Sequence, residues 1–436
     1  MRAVVGLDVG RDQVDICFLV ADGSEPVARW RVPNTQPGAE ALAARLADLA
    51  QQHRVAALHI GLEATGLYWW PLACALKDAP ALGPYQAQVY ALNPQLVHTF
   101  RANYGALPKT DKADAFVIAE RVRWGRHLPA PFQVDLRYAP LQRLTRFRYH
   151  LVHTLVREKN YFLTFLFLQF SGFCQVRPFQ DPFGTTSCAV LEEFTTEELA
   201  QAALEELADF VATQGRGQFH DPQAVATTLQ RAARDSFRLD KVLAEPLRVV
   251  LGTTMATIRT LQRQLKAVDR TIAQELQALP QTLDSVPGLG PVWTAGLVAE
   301  IGDITRFATQ ASLAQYAGLT WKIRQSGQFQ AEDTALTKRG NTYLRYYLVE
   351  AANSVRVHCA DYRAYYQAKY AQSTKHHHKR ALVLTARKLV RLVDALLRTD
   401  RRYRPSESGQ DQKEGALPSR QRPGRHRHPR RAVAVG

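Results

Sequence analysis

The chain has 436 residues, enough for two or three domains that each bury a core of their own. Lys and Arg number 56 against 40 Asp and Glu, and such a surplus favours a polyanionic partner, with nucleic acid the first candidate. No stretch approaches the roughly 20 apolar residues of a spanning helix, and the N-terminus lacks a signal-peptide layout, so we expect a cytoplasmic protein without a membrane partner.

The first 130 residues have the pattern of an α/β domain. Short apolar runs bounded by Gly, Asp and Pro indicate strands, and apolar residues at three- and four-residue steps indicate helices. The pattern predicts strands at 3–7, 14–20, 28–32, 55–63 and 89–92, and helices at 37–52 and 112–124. The first three strands resemble a meander, and strands interleaved with helices predict an α/β layer structure.

The rest of the chain is predicted to be mainly helical. Residues 136–169 and 240–279 are long, proline-poor stretches typical of long helices or a coiled-coil arm, with an inserted helical subdomain at about 171–238. A compact domain with Gly, Pro and aromatic residues follows, then a basic helix at 375–398 and, beyond Arg401, a basic tail that we expect to be disordered. The predicted domains are 1–130, 131–279, 280–372 and 373–436.

Two carboxylates lie at strand positions. Asp8 falls inside the apolar run Val-Val-Gly-Leu-Asp-Val-Gly, where an ionised group is costly unless something compensates it, as a metal ion would. Glu63 ends the strand Leu-His-Ile-Gly-Leu-Glu and precedes Ala-Thr-Gly. The alternative to metal binding for Asp8 is a strand-end acid with a local partner, and for Glu63 it is a solvated turn residue. Asp12 and Asp15 also lie near, and we interpret both as structural.

Asp111 and Asp114 form a second acidic pair, on one face of a starting helix because they are three residues apart. Acids in a first helical turn also cap helices and favour the helix dipole, which is the alternative for both. If all four carboxylates converge, they could hold two Mg²⁺ or Mn²⁺ ions, since hard cations take oxygen ligands and paired metals act on phosphodiesters.

The motifs Gly-Leu-Asp8-Val-Gly, Leu-Glu63-Ala-Thr-Gly and Lys-Thr-Asp111-Lys-Ala-Asp114-Ala, in this order, resemble the RuvC-like DEDD domain of one insertion-sequence transposase family. Members of that family also carry a C-terminal domain with a catalytic serine. The matching stretch here runs from Val-Pro-Gly-Leu-Gly-Pro at 286–291 through Tyr-Ala-Gly-Leu at 316–319 and Gln-Ser326-Gly to Thr-Lys-Arg-Gly-Asn at 337–341, Leu344-Arg345 and Leu348. The resemblance covers about 1–125 and 280–370, and it implies a ribonuclease H-like first domain and a mobile-element recombinase guided by an element-encoded bridge RNA.

Ser326 is the candidate nucleophile that this resemblance implies. It lies in Lys-Ile-Arg-Gln-Ser-Gly, a polar and basic segment where a hydroxyl could meet a phosphate, although a turn serine is the plain alternative. A free serine is a poor nucleophile, so we expect metal held by the N-terminal acids to activate it, in one chain or across two. Ser285 and Ser312 are the next candidates.

Five further residues are candidates for binding nucleic acid. Arg324, Lys338 and Arg345 could neutralise a phosphate, with surface ion pairing as the alternative. Gly288 and Gly290 lie in a Pro-Gly-Leu-Gly-Pro turn that resembles a helix-hairpin-helix loop, whose backbone amides could approach a phosphate, with a plain tight turn as the alternative.

The hypothesis is therefore a transposase in which Ser326 attacks DNA and leaves a phosphoserine intermediate. DNA ends, target DNA and a bridge RNA are the expected partners. A homo-oligomer, dimer or tetramer, is expected because two duplexes must be cut and exchanged. The main alternative is a hydrolytic, RuvC-like metal-dependent endonuclease. An actin-like sugar kinase or ATPase is a further alternative, but the sequence lacks the additional Gly-rich phosphate-binding loops that such a protein needs. An inactive nucleic-acid scaffold is the last alternative, and it would neither cleave DNA nor form an adduct with it.

Overall fold

The computed structural model describes residues 1–405, apart from 21, 22, 24, 106, 109, 127, 323, 324, 327, 328 and 331–334. Only the backbone is described for Gln325, Ser326, Phe329 and Gln330, and the Lys241 side chain is left aside. The predicted tail lies outside the described residues except for 401–405. The chain divides into two compact units, Met1–Leu136 and Arg137–Gly436.

The first unit is an α/β domain, as predicted. Its strands are β1 (Arg2–Val9), β2 (Gln13–Val20), β3 (Ala28–Pro33), β4 (Ala57–Glu63) and β5 (Gln88–Leu92). Its helices are α1 (Gln36–Gln52), α2 (Trp69–Lys77), α3 (Pro94–Arg101) and α4 (Asp111–Trp124), with short 3₁₀ turns at Pro80–Tyr85 and Ala102–Tyr104.

The five strands form one mixed sheet in the order β3-β2-β1-β4-β5. β1, β2 and β3 form the predicted antiparallel meander, and β4 and β5 run parallel to β1. The meander is possible because short loops connect antiparallel neighbours, whereas each parallel neighbour is reached through an intervening helix. This is the ribonuclease H-like arrangement that the motifs predict.

Both faces of the sheet are covered. Leu7 and other inward residues of the strands pack with α1 and α2 on one face, while Val4 and Cys17 pack with α3 and α4 on the other. Gly6 is needed for the second face, since a Cβ at this position would clash with the backbone of Ala115 and Ala119 in α4. Helix α4 therefore lies directly against the central strand that carries Asp8.

The second unit is helical. Its helices are α5 (Ala139–Gln169), α6 (Ser171–Val176), α7 (Thr185–Glu193), α8 (Thr196–Gln201), α9 (Leu204–Gly215), α10 (Pro222–Arg234), α11 (Lys241–Gln277), α12 (Pro291–Ile301), α13 (Gln310–Tyr316), α14 (Thr342–His358), α15 (Ala360–Gln372) and α16 (His377–Thr399). A two-stranded hairpin, β6 (Gln325–Ser326) and β7 (Phe329–Gln330), precedes α14. Short 3₁₀ turns occur at Leu283–Ser285 and Ile304–Arg306.

The long helices α5 and α11 pack as an antiparallel pair, since Leu141 shares a core with Ile272 and Phe162 with Ile258. One end of the pair joins the core formed by the helices from α12 onward, and the other joins a separate Phe-rich core with α6–α10. Helices α6–α10 occupy the predicted insert. In the described part of the chain, none of the helices is long and apolar enough to cross a membrane.

Candidate active site

The pleat of the sheet brings the strand-borne acids to one face. Alternate residues of a strand point to the same side, so Asp8 lies on the side of Gly6, and Glu63 on the side of Gly61. Added Cβ atoms at both glycines would meet α4, which identifies this side as the face that α4 covers. Asp15 is paired directly across from Asp8 and joins the same face. The predicted neighbourhood of Asp8 and Glu63 at adjacent strand ends therefore agrees with the register of β1 and β4.

Helix α4 brings the second pair of acids to this face. Thr110 caps the helix, because its side chain accepts a hydrogen bond from the backbone N–H of Ala113 at 3.3 Å. Asp111 and Asp114 occupy the first turn, where the helix dipole favours negative charge. Since Thr110 performs the capping, the two acids are available for other partners.

Asp8 is the electrostatic centre of the cluster. Its partial burial and the negative charges of Asp111, Glu63 and Asp15 raise its pKa from 3.8 to about 6. Each of these effects disfavours the carboxylate, and a bound cation would favour it. Glu63 is half-buried and accepts a hydrogen bond from the Thr65 hydroxyl at 2.5 Å.

Arg31 lies beside these acids. Asp15 is 5% exposed and pairs with Arg31 across the sheet, with its Oδ2 2.7 Å from Nη2 and 3.0 Å from Nε. The same Nη2 lies 3.6 Å from Asp111 Oδ2. Asp8, Asp15 and Arg31 thus form one row across three strands. The strand register pairs Asp8 with Asp15 and Asp15 with Arg31. The sequence analysis interpreted Asp15 as structural and did not predict this row.

Arg101, the last residue of α3, forms an ion pair with Asp114, and its Nη2 donates to the Pro108 carbonyl at 2.9 Å. Asp114 is absent from the charges that raise the pKa of Asp8. The structure therefore brings Asp8, Glu63 and Asp111 into electrostatic contact and assigns Asp114 to Arg101. Nothing in the sequence spacing signals the arginine, because it is the packing of α3 on α4 that places it.

The predicted convergence of four carboxylates on metal is only partly seen. Among the described residues, no group of three or more His, Cys, Asp and Glu is close enough together to hold an ion. The donor chemistry nevertheless fits Mg²⁺ or Mn²⁺: Asp8, Glu63 and Asp111 offer oxygen ligands, and burial together with the neighbouring negative charges raises the pKa of Asp8. These three residues are the ones that would hold such an ion.

The segment that contains Ser326 is a short hairpin. Ser326 pairs with Phe329, and the side chain of Ser326 lies outside the described residues, as does Arg324. The base of the hairpin is closed by hydrogen bonds from Thr337 N to Thr320 O at 2.7 Å and from Lys322 N to Ala335 O at 2.9 Å. The polar and basic segment around Ser326 therefore contributes a two-stranded antiparallel pair.

A buried carboxylate holds the segment that follows the hairpin. The Glu300 side chain is fully buried, and Arg146 of α5 donates to its two oxygens at 2.7 and 2.9 Å. Asn341, the cap of α14, donates to Glu300 at 2.7 Å and to the Tyr316 hydroxyl at 3.1 Å. Burial alone would lower the pKa of Arg146, but its hydrogen bonds and charge interaction with Glu300 raise it. Sequence reasoning missed this network, whose members are distant in the chain.

Arg345 and Lys338, two of the residues predicted to contact nucleic acid, have different surroundings. Arg345 Nη1 donates to the carbonyls of Ala317 and Lys338, both at 3.1 Å, and burial lowers the pKa of Arg345. Lys338 is exposed and has a left-handed backbone. Both residues remain predicted phosphate contacts. Arg345 also links the segments that contain Ala317 and Lys338 by hydrogen bonds.

The two glycines of the Pro-Gly-Leu-Gly-Pro turn differ. Gly288 has φ +95°, and a Cβ there would lie 2.9 Å from Val355 Cα in α14, so close packing requires glycine. Gly290 is the N-terminal cap of α12 and faces open space. Backbone access for a phosphate is therefore greater at Gly290, and the predicted role of both stays a prediction.

A mixed sheet in this strand order, with carboxylates at the ends of β1 and β4 and at the start of α4, defines the first unit as a ribonuclease H-like domain. Two family models match the chain. One, described as a transposase of the DEDD type, matches residues 5–170, and the other, "Transposase IS116/IS110/IS902 family", matches residues 280–367. The chain belongs to this IS110/IS116 family of transposases, which cleave and rejoin DNA.

Curated relatives agree with this assignment. The chain is 28% identical over 325 residues to "Insertion element IS116 uncharacterized 44.8 kDa protein" of Streptomyces clavuligerus, covering 71% of this chain and 76% of that protein. It is 28% identical to "Probable family 20 transposase" of Pseudomonas aeruginosa, covering 44% and 59%. It is also 28% identical to "Pilin gene-inverting protein" of Moraxella bovis, covering 27% and 33%.

A solved structure, "T. thermophilus RuvC in complex with Holliday junction substrate", is similar with a TM-score of 0.24 and 18% identity. The similarity covers 30% of this chain and 99% of that one.

Proposed function

We propose that this transposase cuts and rejoins DNA through a covalent link between Ser326 and a DNA end. The Ser326 hydroxyl attacks the phosphorus of a phosphodiester, forms a phosphoserine bond and releases the neighbouring DNA oxygen as a free hydroxyl, which takes up a proton. Attack by the hydroxyl of another strand reverses the step and frees the serine. The phosphodiester is exchanged for an equivalent bond, so no nucleotide cofactor is needed.

The observation that carries the metal-dependent part is the grouping of Asp8, Glu63 and Asp111 on the face that α4 covers, with the pKa of Asp8 raised to about 6. We propose that these residues, with Asp114 in the loaded site, hold Mg²⁺. A divalent ion there would stabilise negative charge on the oxygens of the phosphodiester under attack. The carboxylates would bind and orient the ion, and the hydrogen bond from the Thr65 hydroxyl positions Glu63.

The position of Ser326 supports the serine part. Ser326 belongs to the antiparallel pair of β6 and β7, and backbone hydrogen bonds from Thr337 to Thr320 and from Lys322 to Ala335 join the chain on either side of that pair. The proposed phosphate contacts are the basic side chains of Arg324, Lys338 and Arg345. The backbone amides of Gly288 and Gly290 are proposed as a second phosphate-binding site.

We further propose that a bridge RNA encoded by the element guides the choice of DNA, and that a dimer or tetramer is the active form. A formal net charge of +16 supports binding of polyanions in general. Retention of a specific noncoding RNA during purification, compared with its scrambled sequence in a filter-binding assay, tests the RNA part. Light scattering of the DNA-bound complex tests the oligomer.

The decisive experiment incubates the protein with element-end DNA, the flanking noncoding RNA and Mg²⁺, and resolves protein–DNA adducts on a denaturing gel. We expect an adduct in the wild type and none in Ser326→Ala or Asp8→Ala. Ser312→Ala is the matched control, because Ser312 belongs to the capping box of α13, and it should keep the adduct.

The acidic cluster alone also supports the second candidate, a hydrolytic endonuclease that uses water as nucleophile. In that case DNA is cleaved without an adduct, and cleavage persists in Ser326→Ala but not in Asp8→Ala. That outcome would refute the serine intermediate and leave the metal site intact.

A further inference from the structure

The four predicted acids divide into two pairs with different neighbours. The strand acids, Asp8 and Glu63, have other acids and the Thr65 hydroxyl beside them. The helix acids, Asp111 and Asp114, each contact an arginine from a different element, Arg31 of β3 and Arg101 of α3. Two of the four proposed metal ligands, Asp111 and Asp114, therefore already have a positively charged neighbour.

Arg31 is firmly held on one side and loosely on the other. Asp15 binds it through two nitrogens at 2.7 and 3.0 Å, and Gln13 Oε1 accepts from Nη1 at 2.9 Å. The contact with Asp111 is longer, 3.6 Å, and the Asp111 side chain is 71% exposed. An exposed ion pair of this kind is weak and exchanges easily. The anchor at Asp15 keeps the guanidinium at the site when that contact is lost.

Arg101 is more closely held than Arg31, and its Nη1 is buried. Its Nη2 is fixed on the Pro108 carbonyl, while Nη1 faces Asp114, whose side chain is about one-third exposed (32%). A guanidinium and a divalent ion compete for the same carboxylate oxygens, and a guanidinium also binds phosphate with the same planar fork of donors. An arriving phosphodiester could thus take the exposed guanidinium of Arg31 from Asp111, and Asp114, whose side chain is 32% exposed, is the carboxylate that a cation would take from Arg101.

We propose that Arg31 and Arg101 are exchangeable counter-ions of the helix acids. In the protein without nucleic acid they compete with metal for Asp111 and Asp114. When nucleic acid is bound, its phosphates take the guanidinium groups, and the helix acids become free to complete the metal site beside the substrate. Both arginines are positioning residues in this scheme, and the scheme rests on the metal site of the proposed function.

The test is a calorimetric Mg²⁺ titration of the full chain without nucleic acid. The double variant Arg31→Gln/Arg101→Gln should bind Mg²⁺ about tenfold more tightly than the wild type, because two positive charges that oppose the helix acids are removed. The matched control is Arg29→Gln/Arg45→Gln, which removes the same charge from the same unit. Arg29 lies over the ring of Phe116 and Arg45 over Trp30, so this control should change Mg²⁺ affinity no more than about twofold.

A second measurement separates this role from a structural one. Affinity for a short DNA duplex in EDTA should fall several-fold in Arg31→Gln/Arg101→Gln, while Mg²⁺ affinity rises. Simple loss of structure would weaken both. Arg31→Gln alone serves if the double variant folds poorly, with about a threefold gain in Mg²⁺ affinity expected.

Unchanged or weaker Mg²⁺ binding in the arginine variants, or an equal gain in the control, would overturn the proposal. If Asp8→Asn still abolishes Mg²⁺ binding in that case, the metal site stands and only the counter-ion role fails. If neither wild type nor variants bind Mg²⁺, the metal site of the proposed function fails with it. A missing serine adduct affects neither result.

Discussion

Replacing Asp8 by Asn should stabilise the protein in the absence of metal. The folded state holds the pKa of Asp8 at about 6, above its ordinary value of 3.8, so ionisation of this carboxyl opposes folding. The folded state binds the proton more tightly than the unfolded state, and stability is therefore lost as pH rises from about 4 to about 6. Below that window the carboxyl is protonated in both states and the loss is absent.

The expected size follows from the pKa. A change of one in pKa corresponds to about 1.4 kcal/mol, so the full effect is about 3 kcal/mol above pH 6. Because Asp8 is only partly buried, solvent screening reduces this to about 1–2 kcal/mol. For a unit of this size that corresponds to a rise of about 3–6 °C in Tm. Asn has the shape of Asp without the charge, so packing should be conserved.

The assay is thermal unfolding of the full chain in EDTA, followed at about pH 7.5 and about pH 4.5. Asp8→Asn should unfold at a higher temperature than the wild type at the higher pH, and the difference should shrink at the lower pH. Asp48→Asn, at an exposed position of α1, is the matched control and should show no such gain. Adding Mg²⁺ should raise the Tm of the wild type and leave Asp8→Asn nearly unchanged.

The reasoning would be refuted by an Asp8→Asn variant that is no more stable than the wild type at about pH 7.5, or by a difference that is equal at both pH values. The first result would mean that neither burial nor the neighbouring acids disfavour the charge of Asp8 in the folded protein. The second would trace the gain to packing and not to charge. A wild type that Mg²⁺ does not stabilise would argue against metal binding by this cluster.

Three further substitutions test the supports of the two sites by thermal or urea unfolding. Glu300→Gln weakens the buried pair with Arg146 and should cost about 2–4 kcal/mol, and a loss below about 1 kcal/mol would contradict the importance of that pair. Gly6→Val should cost about 3 kcal/mol or more by forcing α4 off the sheet, whereas Gly83→Val, which faces open space, should cost little. Thr110→Ala removes the cap of α4 and should cost about 1 kcal/mol and weaken Mg²⁺ binding in a titration, and unchanged binding would show that the acids do not depend on the cap.

Much of the first unit could be predicted from the sequence because its signals are local. Alternating and continuous apolar runs marked the strands of the sheet, and a charged residue inside one of them marked Asp8. The three-residue spacing of Asp111 and Asp114 placed both on one face of α4. The motifs that resemble the transposase family then joined these local signals into one predicted site, and the family models support the assignment of the chain to that family.

The partners of the acids could not be predicted in the same way. Arg101 reaches Asp114 only because α3 packs on α4, and nothing in the spacing of the two residues marks that contact. Arg31 is an intermediate case: the strand register pairs Asp8 with Asp15 and Asp15 with Arg31, but the register depends on the turns and does not follow from composition. Charge neutralisation at the site is thus a tertiary property.

The contrast between Asp8 and Glu300 shows why burial alone does not identify a functional carboxylate. Glu300 is the more deeply buried of the two, yet Arg146 and Asn341 supply three hydrogen bonds and a positive charge, so the group is satisfied where it lies. Asp8 is less buried, and its neighbours are acids that raise its pKa. A carboxylate whose surroundings oppose its charge takes up either a proton or a cation, and this property marks Asp8, not Glu300, as the candidate metal ligand.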